Sequence, residues 1–145
     1  MTEDDLYLAY MAGFFDADGS AGIYAGGNRG RTLRVQITQL VSPESSILLD
    51  AASLRWGGCR SVMSFKNKRE AYNWQANGVN GHGMLIELLP HLKIKRAQAE
   101  LAIEWWEGRE PQRRNERGHI VPLSVEQIAR NEDYDLRLRA LKRGD

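Results

Sequence analysis

Cysteine is almost missing from this chain of 145 residues, because Cys59 is its single example. One cysteine excludes an internal disulfide and a zinc site built from cysteine pairs. No apolar run is long enough to cross a membrane, and no basic segment followed by an apolar run suggests a secretory signal. The length suits one domain. We therefore expect a single intracellular domain, residues 1–145, without a membrane partner.

Positive charge is missing from the start of the chain and concentrated further along it, although the net charge is only +1. Residues 1–20 carry five acids and no base, whereas residues 21–41 and 58–78 together carry seven Lys or Arg against one acid, Glu70. This local excess predicts a basic surface, and phosphate is the commonest partner of such a surface. A solvated basic face without a partner is the alternative that charge alone leaves open.

The hydrophobic periodicity predicts a fold that combines helices with antiparallel strands. Apolar residues at helical spacing indicate a first helix, and alternating apolar and polar residues indicate two hairpins. We predict an α+β fold of order αββαββα over residues about 4–108, with a helical C-terminal extension over about 109–145. The predicted helices are 5–15, 42–57, 83–92, 95–108 and two short ones within 124–143, and the predicted strands are 20–25, 32–40, 59–65 and 71–77.

The polar faces of the two predicted hairpins carry side chains that suit base recognition. In the second strand Leu33, Val35 and Ile37 alternate with arginine, glutamine and threonine, and the fourth strand alternates similarly. Arginine pairs with guanine, Asn or Gln pairs with adenine, and a two-stranded ribbon can enter a major groove. A polar face that contacts only water is the alternative. The candidate nucleic-acid contacts are Ser20, Tyr24, Arg29, Arg31, Arg34, Gln36, Thr38, Arg60, Ser64, Lys66, Lys68, Arg69, Asn73, Gln75 and Asn77.

Small residues recur at every fourth position of the predicted first helix, at Ala9, Gly13 and Ala17. Such a row lets a second helix backbone approach closely. A glycine inside a helix lowers its stability, so its presence there needs a specific reason. The row predicts either a helix pair between two subunits or tight packing inside one subunit.

The first helix ends in the stretch "MAGFFDADG", residues 11–19, which resembles the LAGLIDADG motif of the homing endonucleases. Two further stretches support this resemblance. "VQITQL", residues 35–40, resembles the strand end where these enzymes have an active-site glutamine, and "LPHLKIKRAQAEL", residues 89–101, resembles the segment that carries their active-site lysine. The order and spacing of the three stretches cover about residues 4–107.

The resemblance implies an intron-encoded, site-specific double-strand DNA endonuclease whose antiparallel sheet faces the DNA. The motif occurs once in this chain, and one motif in this family implies a homodimer, because two motif helices must pack together to form two active sites. The implied target is a long, pseudo-palindromic DNA duplex. The implied dimer contacts are Ala9, Ala12, Gly13 and Asp16.

The resemblance also implies the chemistry of the site. Asp18, directly before the last glycine of the motif, would bind a divalent cation together with the Ala17 carbonyl. Mg²⁺ prefers such oxygen ligands, Mn²⁺ is a possible substitute, and Ca²⁺ is expected to support binding without cleavage. Gln39 would position a metal-bound water, and Lys95 would stabilise phosphate charge. A basic residue that this family often has early in the linking helix has no counterpart near Ser42.

One of these residues also stands out without the resemblance. Gln39 occurs where the alternation of its strand calls for an apolar residue, although an exposed strand end would explain it as well. Asp16 lies earlier in the motif, and we expect it to form hydrogen bonds locally or across the dimer rather than to act in catalysis.

Two other functions are compatible with the same fold. An RNA-binding intron maturase would use the sheet to assist splicing, and a non-catalytic DNA-binding regulator would need no metal. The intact acid at Asp18 favours the nuclease. The three histidines lack the spacing of metal ligands. The four tryptophans, Trp56, Trp74, Trp105 and Trp106, are expected in the core rather than as stacking platforms for bases.

Overall fold

The computed structural model describes residues 1–25, 30–67 and 69–144 of the chain. Its elements follow the predicted order αββαββα with a helical extension. The helices are α1 (Glu3–Asp18), α2 (Pro43–Trp56), α3 (Val79–Leu88), α4 (Arg96–Gly108) and α5 (Val125–Arg143), and a short 3₁₀ helix covers Leu89–His91. The strands are β1 (Gly19–Ala25), β2 (Arg31–Leu40), β3 (Cys59–Ser64) and β4 (Glu70–Asn77).

Helix α1 is longer than the predicted 5–15 at both ends. Thr2 caps its first turn in a capping box with Asp5, which satisfies backbone N–H groups that the helix itself leaves free. At the other end the helix continues to Asp18, and the Gly19 N–H closes it on the Phe15 carbonyl. The motif carboxylates Asp16 and Asp18 therefore lie in the last helical turn rather than in a turn beyond it.

The four strands form one antiparallel sheet in the order β1-β2-β4-β3. The predicted alternation of β2 is confirmed, since Leu33, Val35 and Ile37 are fully buried on one face together with Trp74 of β4. Helices α1, α3 and α4 pack on this face. The opposite face of the sheet, which we name the outer face, is left for the polar residues of the strands.

Helix α2 links the two hairpins and has the start and end that the sequence predicts. Ser42 caps it in a capping box with Ser45, and Pro43 occupies its first turn. It ends at Gly57, whose φ of 78° lies in the left-handed region that favours glycine. After this turn the chain enters β3, which pairs with β4 at one edge of the sheet.

The C-terminal extension contains one continuous helix, α5, and the prediction of two short helices is wrong. Ser124 caps α5, and buried residues on its inner side pack it against α4 and β1. A side-chain bond from Trp105 Nε1 to Asn131 Oδ1, 2.8 Å long, joins α4 to the middle of α5. This interior contact stabilises the region where the sequence suggested a break.

The tryptophans lie in the core, as predicted, although to different degrees. Trp56, Trp74 and Trp105 are buried, whereas Trp106 is partly buried under the guanidinium of Arg109. None of the described helices is long and apolar enough to span a lipid bilayer.

Candidate active site and sheet surface

Asp18 and Gln39 meet where α1 ends and β2 ends. The pairing of Gly19 with Ile37 places the last residues of β2 beside the C-terminus of α1. Gln39 Nε2 donates a hydrogen bond of 2.8 Å to Asp18 Oδ2. No described residue donates to the second carboxylate oxygen, and Asp18 is exposed to solvent. Gln39, a polar residue on the inner face of its strand, is thus the hydrogen-bond partner of the motif residue Asp18.

Lys95 joins this pair from a third element. It is the residue directly before α4, and its Nζ donates a hydrogen bond to the Gly19 carbonyl, while the ammonium lies 5.9 Å from the centre of the Phe15 ring. The lysine side chain therefore ends at the first residue of β1, next to Asp18. The structure brings together the three residues that the sequence predicted as catalytic, from segments about 20 and 80 residues apart.

Asp16 has a separate set of partners inside the same chain. Its Oδ2 accepts from the Lys93 N–H and its Oδ1 from the Lys95 N–H, each at 2.9 Å. The carboxylate thus fixes the backbone just before α4 against the last turn of α1. This arrangement positions Lys95, and it gives Asp16 an intrachain role besides the dimer contact predicted for it.

The end of α1 offers oxygen atoms of the kind that hard divalent cations bind. Its last turn contains no basic residue, and a carboxylate there opposes the negative end of the helix dipole, so a cation would be stabilising. The last carbonyls of a helix, including that of Ala17, lack intrahelical partners. The described residues contain no cluster of three His, Cys, Asp or Glu side chains that could hold a metal ion. Backbone carbonyls, water or another molecule would supply the further oxygen ligands of an ion there.

One side of α1 is exposed and the other lies in the core, and this division separates the four predicted dimer contacts. Ala9 and Gly13 are exposed, and a Cβ built on Gly13 would meet nothing within 4 Å. Ala12 is fully buried in the core of its own chain, so its assignment to a dimer interface is wrong. It lies on the core side together with Leu8 and Phe15, which are buried about one helical turn away on either side. The exposed stripe of α1 consists of Leu6, Ala9, Tyr10, Gly13 and Ala17.

The strand register defines which residues share the outer face. Arg34 pairs with Asn77, Gln36 with Gln75 and Thr38 with Asn73, and paired residues project to the same side of a sheet. The Arg34 Nε donates to Asn77 Oδ1 at 3.2 Å, and the Arg34 guanidinium lies 4.7 Å from the centre of the Tyr24 ring. The predicted contacts on the outer face are Ser20, Tyr24, Arg34, Gln36, Thr38, Asn73, Gln75 and Asn77.

Arg60 does not belong to the outer face, which corrects its predicted role as a DNA contact. It pairs with Trp74, a residue of the core side. Its guanidinium forms an ion pair of 3.3 Å with Asp50, donates to the Ser46 carbonyl of α2 and lies 4.5 Å from the centre of the Tyr72 ring. These contacts hold Arg60 against α2 rather than above the sheet.

Arg31 and Ser64 also lie on the side of the sheet that faces the helices. Arg31 pairs with Ala25 and forms an ion pair of 3.5 Å with Asp135 of α5, and Ser64 pairs with Glu70. Because β3 is an exposed edge strand without apolar alternation, its sequence did not reveal which residues face outward. The outer-face residues of β3 are Cys59, Ser61 and Met63, none of which was predicted.

The turn between β3 and β4 contains the remaining candidate contacts. Lys66 and Arg69 are exposed there, as expected for residues that contact a phosphate backbone. Lys68 and Arg29, together with most of the predicted turn between β1 and β2, lie outside the described residues.

Comparisons with known proteins agree with this fold and motif. DNA endonuclease I-CvuI of Chlorella vulgaris is 31% identical over 106 residues, a match that spans 70% of this chain but only 64% of that protein. Models of known protein families yield no match.

Solved structures of homing endonucleases are also similar to this chain in fold. A crystal structure of I-CvuI with DNA and magnesium is 27% identical, with a TM-score of 0.54 over 72% of this chain and 68% of that one. The archaeal intron-encoded homing endonuclease I-Vdi141I, solved with DNA, is 17% identical, and its TM-score of 0.67 over 96% of this chain and 86% of that one shows the shared fold. The motif, the fold and the identity to I-CvuI together support the LAGLIDADG homing endonuclease family for this chain.

Proposed function

We propose that this protein is a site-specific DNA endonuclease that hydrolyses one phosphodiester in each strand of a duplex, uses a divalent metal and acts in intron homing. The observation that carries the proposal is that Asp18, Gln39 and Lys95 come together where α1 and β2 end, beside the outer face of the sheet. The relative I-CvuI is named a DNA endonuclease, and its structures were determined with DNA targets and with magnesium or calcium.

The outer face would bind the DNA. Its long polar side chains, among them Arg34, Gln36 and Gln75, suit hydrogen bonding to base edges in a major groove. Asn73 Oδ1 is buried there without a hydrogen-bond partner in the described part of the chain, so a donor from a base would satisfy it. Lys66 and Arg69 at the hairpin turn would contact the phosphate backbone.

Asp18 and the Ala17 carbonyl would hold the metal ion, with Mg²⁺ as the expected ion and Mn²⁺ as a substitute. When bound, such an ion neutralises charge at the phosphate and makes a water molecule more acidic. Gln39 would orient the Asp18 carboxylate through its 2.8 Å bond and offer its own oxygen to a water. Lys95, fixed by Asp16 through its backbone, would place a positive charge beside the scissile phosphate.

Cleavage of both strands requires a second active site, and we propose that a second copy of the chain supplies it. The exposed stripe of α1 is apolar and flat where Gly13 lies, so two such helices could pack closely about a two-fold axis. A two-fold axis there would place two Asp18 residues near each other, one for each DNA strand. A pseudo-palindromic target would match this symmetry.

A cleavage selection tests the proposal. The full chain is incubated with Mg²⁺ and a plasmid library that carries a randomised insert, and the ends of linear products are sequenced. We expect double-strand breaks within one pseudo-palindromic sequence, no cleavage with EDTA, and binding without cleavage in Ca²⁺. Binding of the recovered duplex without cleavage in Mg²⁺ or Mn²⁺ would instead indicate a regulator, and binding of structured RNA alone would indicate a maturase.

A further inference from the structure

The C-terminal end of α5 brings a second lysine close to the candidate active site. Lys142 Nζ lies 5.8 Å from the centre of the Tyr24 ring, at the outer-face edge of β1. A side chain at Gly22 would come within 3.0 Å of this ammonium and within 2.8 Å of Tyr24 Cε2. Because Gly22 has no side chain, it leaves room for the side chains of Tyr24 and Lys142.

Lys142 and Lys95 line the same open cleft. The cleft has a volume of about 360 Å³ and also contacts Gly19 and Ser20, the first two residues of β1. Gly19 directly follows Asp18, and Ser20 is an outer-face residue. The cleft thus connects the candidate active site with the surface proposed to bind DNA.

The electrostatic environment of this cleft favours an anion. Burial lowers the pKa of Lys142, Arg139 and Lys95 lower it further, and Asp135 acts in the opposite direction. The Asp135 carboxylate is already paired with Arg31 and Arg139. Within the described parts of the chain, neither Lys95 nor Lys142 has a carboxylate oxygen within 4 Å. Two ammonium groups therefore face one cleft, and neither forms an ion pair with a described carboxylate.

We propose that Lys142 binds a backbone phosphate next to the scissile one, with this phosphate seated in the cleft between Lys142 and Lys95. This inference rests on the proposed function and adds to it, because it makes α5 a part of the DNA-binding surface. A free phosphate ion is a less suitable occupant, since the cleft opens at the edge of the outer face beside the cutting site. Because a contact to a backbone phosphate carries no direct sequence information, the contribution of Lys142 is independent of base sequence.

The test compares three variants of the full chain on the duplex recovered by the cleavage selection. Lys142→Met removes the charge, Lys142→Arg keeps it, and Arg137→Met removes an exposed charge of the same helix that pairs with Asp133. Affinity is measured in Ca²⁺ over a range of salt concentrations. With one lost phosphate contact in each protomer of a dimer, the slope of log affinity against log salt should become less steep by about 1.8 for Lys142→Met. It should stay at the wild-type value for the other two variants.

Neutral phosphates identify the contact directly. Methylphosphonates replace the phosphates around the cut one at a time, and we expect one position that weakens wild-type binding but not binding by Lys142→Met. Equal melting temperatures show that the fold is intact, and Lys142→Gln replaces the Met variant if that variant melts earlier. A wild-type protein that cuts, with an unchanged slope and an unchanged methylphosphonate pattern for the charge-removing variant, would overturn this inference alone. A wild-type protein that neither binds nor cuts duplex DNA would overturn the proposed function as well.

Discussion

The end of α1 and the outer face of the sheet differ in how their polar groups are satisfied. At the end of α1, Asp16 accepts two backbone N–H groups, Gln39 donates to Asp18, and Lys95 donates to Gly19. Across the outer face, the bond from Arg34 to Asn77 is the one side-chain hydrogen bond among the described residues. The first region is held in place by its own chain, and the second leaves its groups available to a partner. We therefore expect cleavage and DNA binding to be separable by mutation.

The strongest way to separate them is Asp18→Asn. The change removes a charged ligand at equal size from an exposed helix end, so the fold and the DNA affinity should survive. We expect cleavage in Mg²⁺ to fall at least about 1000-fold, which corresponds to about 4 kcal/mol of transition-state stabilisation. A gel assay of cleavage beside a binding titration in Ca²⁺ measures both quantities. Full cutting by this variant would remove Asp18 from the mechanism, and Lys95→Met and Gln39→Ala should lower cleavage less.

Gly13→Leu tests the proposed contact between two subunits, which lies outside both the end of α1 and the outer face. It should therefore change the oligomeric state without acting directly on either region. The residue is exposed and a Cβ there meets no described atom within 4 Å, so a monomer should keep its stability. In a helix pair, two facing leucines would overpack the contact by about 1–3 kcal/mol each. We expect wild-type dimers and variant monomers at micromolar concentration by sedimentation. A monomeric wild-type protein would contradict the two-fold arrangement.

Asp16→Asn is the matched control for Asp18→Asn, since both exchanges are isosteric and lie two residues apart. The asparagine turns an amide donor toward a backbone N–H, so one charge-assisted hydrogen bond is lost. We expect a loss of about 1.5–3 kcal/mol in the free energy of unfolding, measured by urea denaturation. Cleavage should persist below the melting temperature and fall much less than for Asp18→Asn, because Asp16 holds the backbone of Lys95 and is not proposed to bind the metal ion. Unchanged stability would mean that these two hydrogen bonds do not hold the segment before α4.

Arg34→Ala and Arg60→Ala sharpen the definition of the outer face. Arg34 lies on it, so its loss should change the preference at particular base pairs by about 1–3 kcal/mol without changing the cleavage rate at saturation. Arg60 contacts α2, so its loss should leave the base preference unchanged and reduce stability by less than about 1 kcal/mol. Sequencing of selected targets for both variants provides the comparison. Altered base preference for the Arg60 variant would place that side chain on the DNA instead.

The predictions from sequence were correct for the buried face of β2 and wrong for several strand residues and for Ala12. Val35 and Ile37 lie on the core face because buried strands must alternate, and this alternation is visible in the sequence. Arg60 was misplaced because β3 is exposed on nearly every residue, so no pattern marks its inner side. Ala12 was misplaced because a small residue suits a core as well as a helix pair.

The sequence by itself determined the motif and the element order, because both depend on residue type and local spacing, and the resemblance of the motif to a known family implied the three candidate catalytic residues. Only the tertiary structure decided how these residues are held. Asp16 meets backbone groups 77 and 79 residues away, and Lys142 reaches Tyr24 from the far end of the chain. Such contacts follow from how helices and strands pack, and side-chain packing between distant segments leaves no periodic trace in either segment.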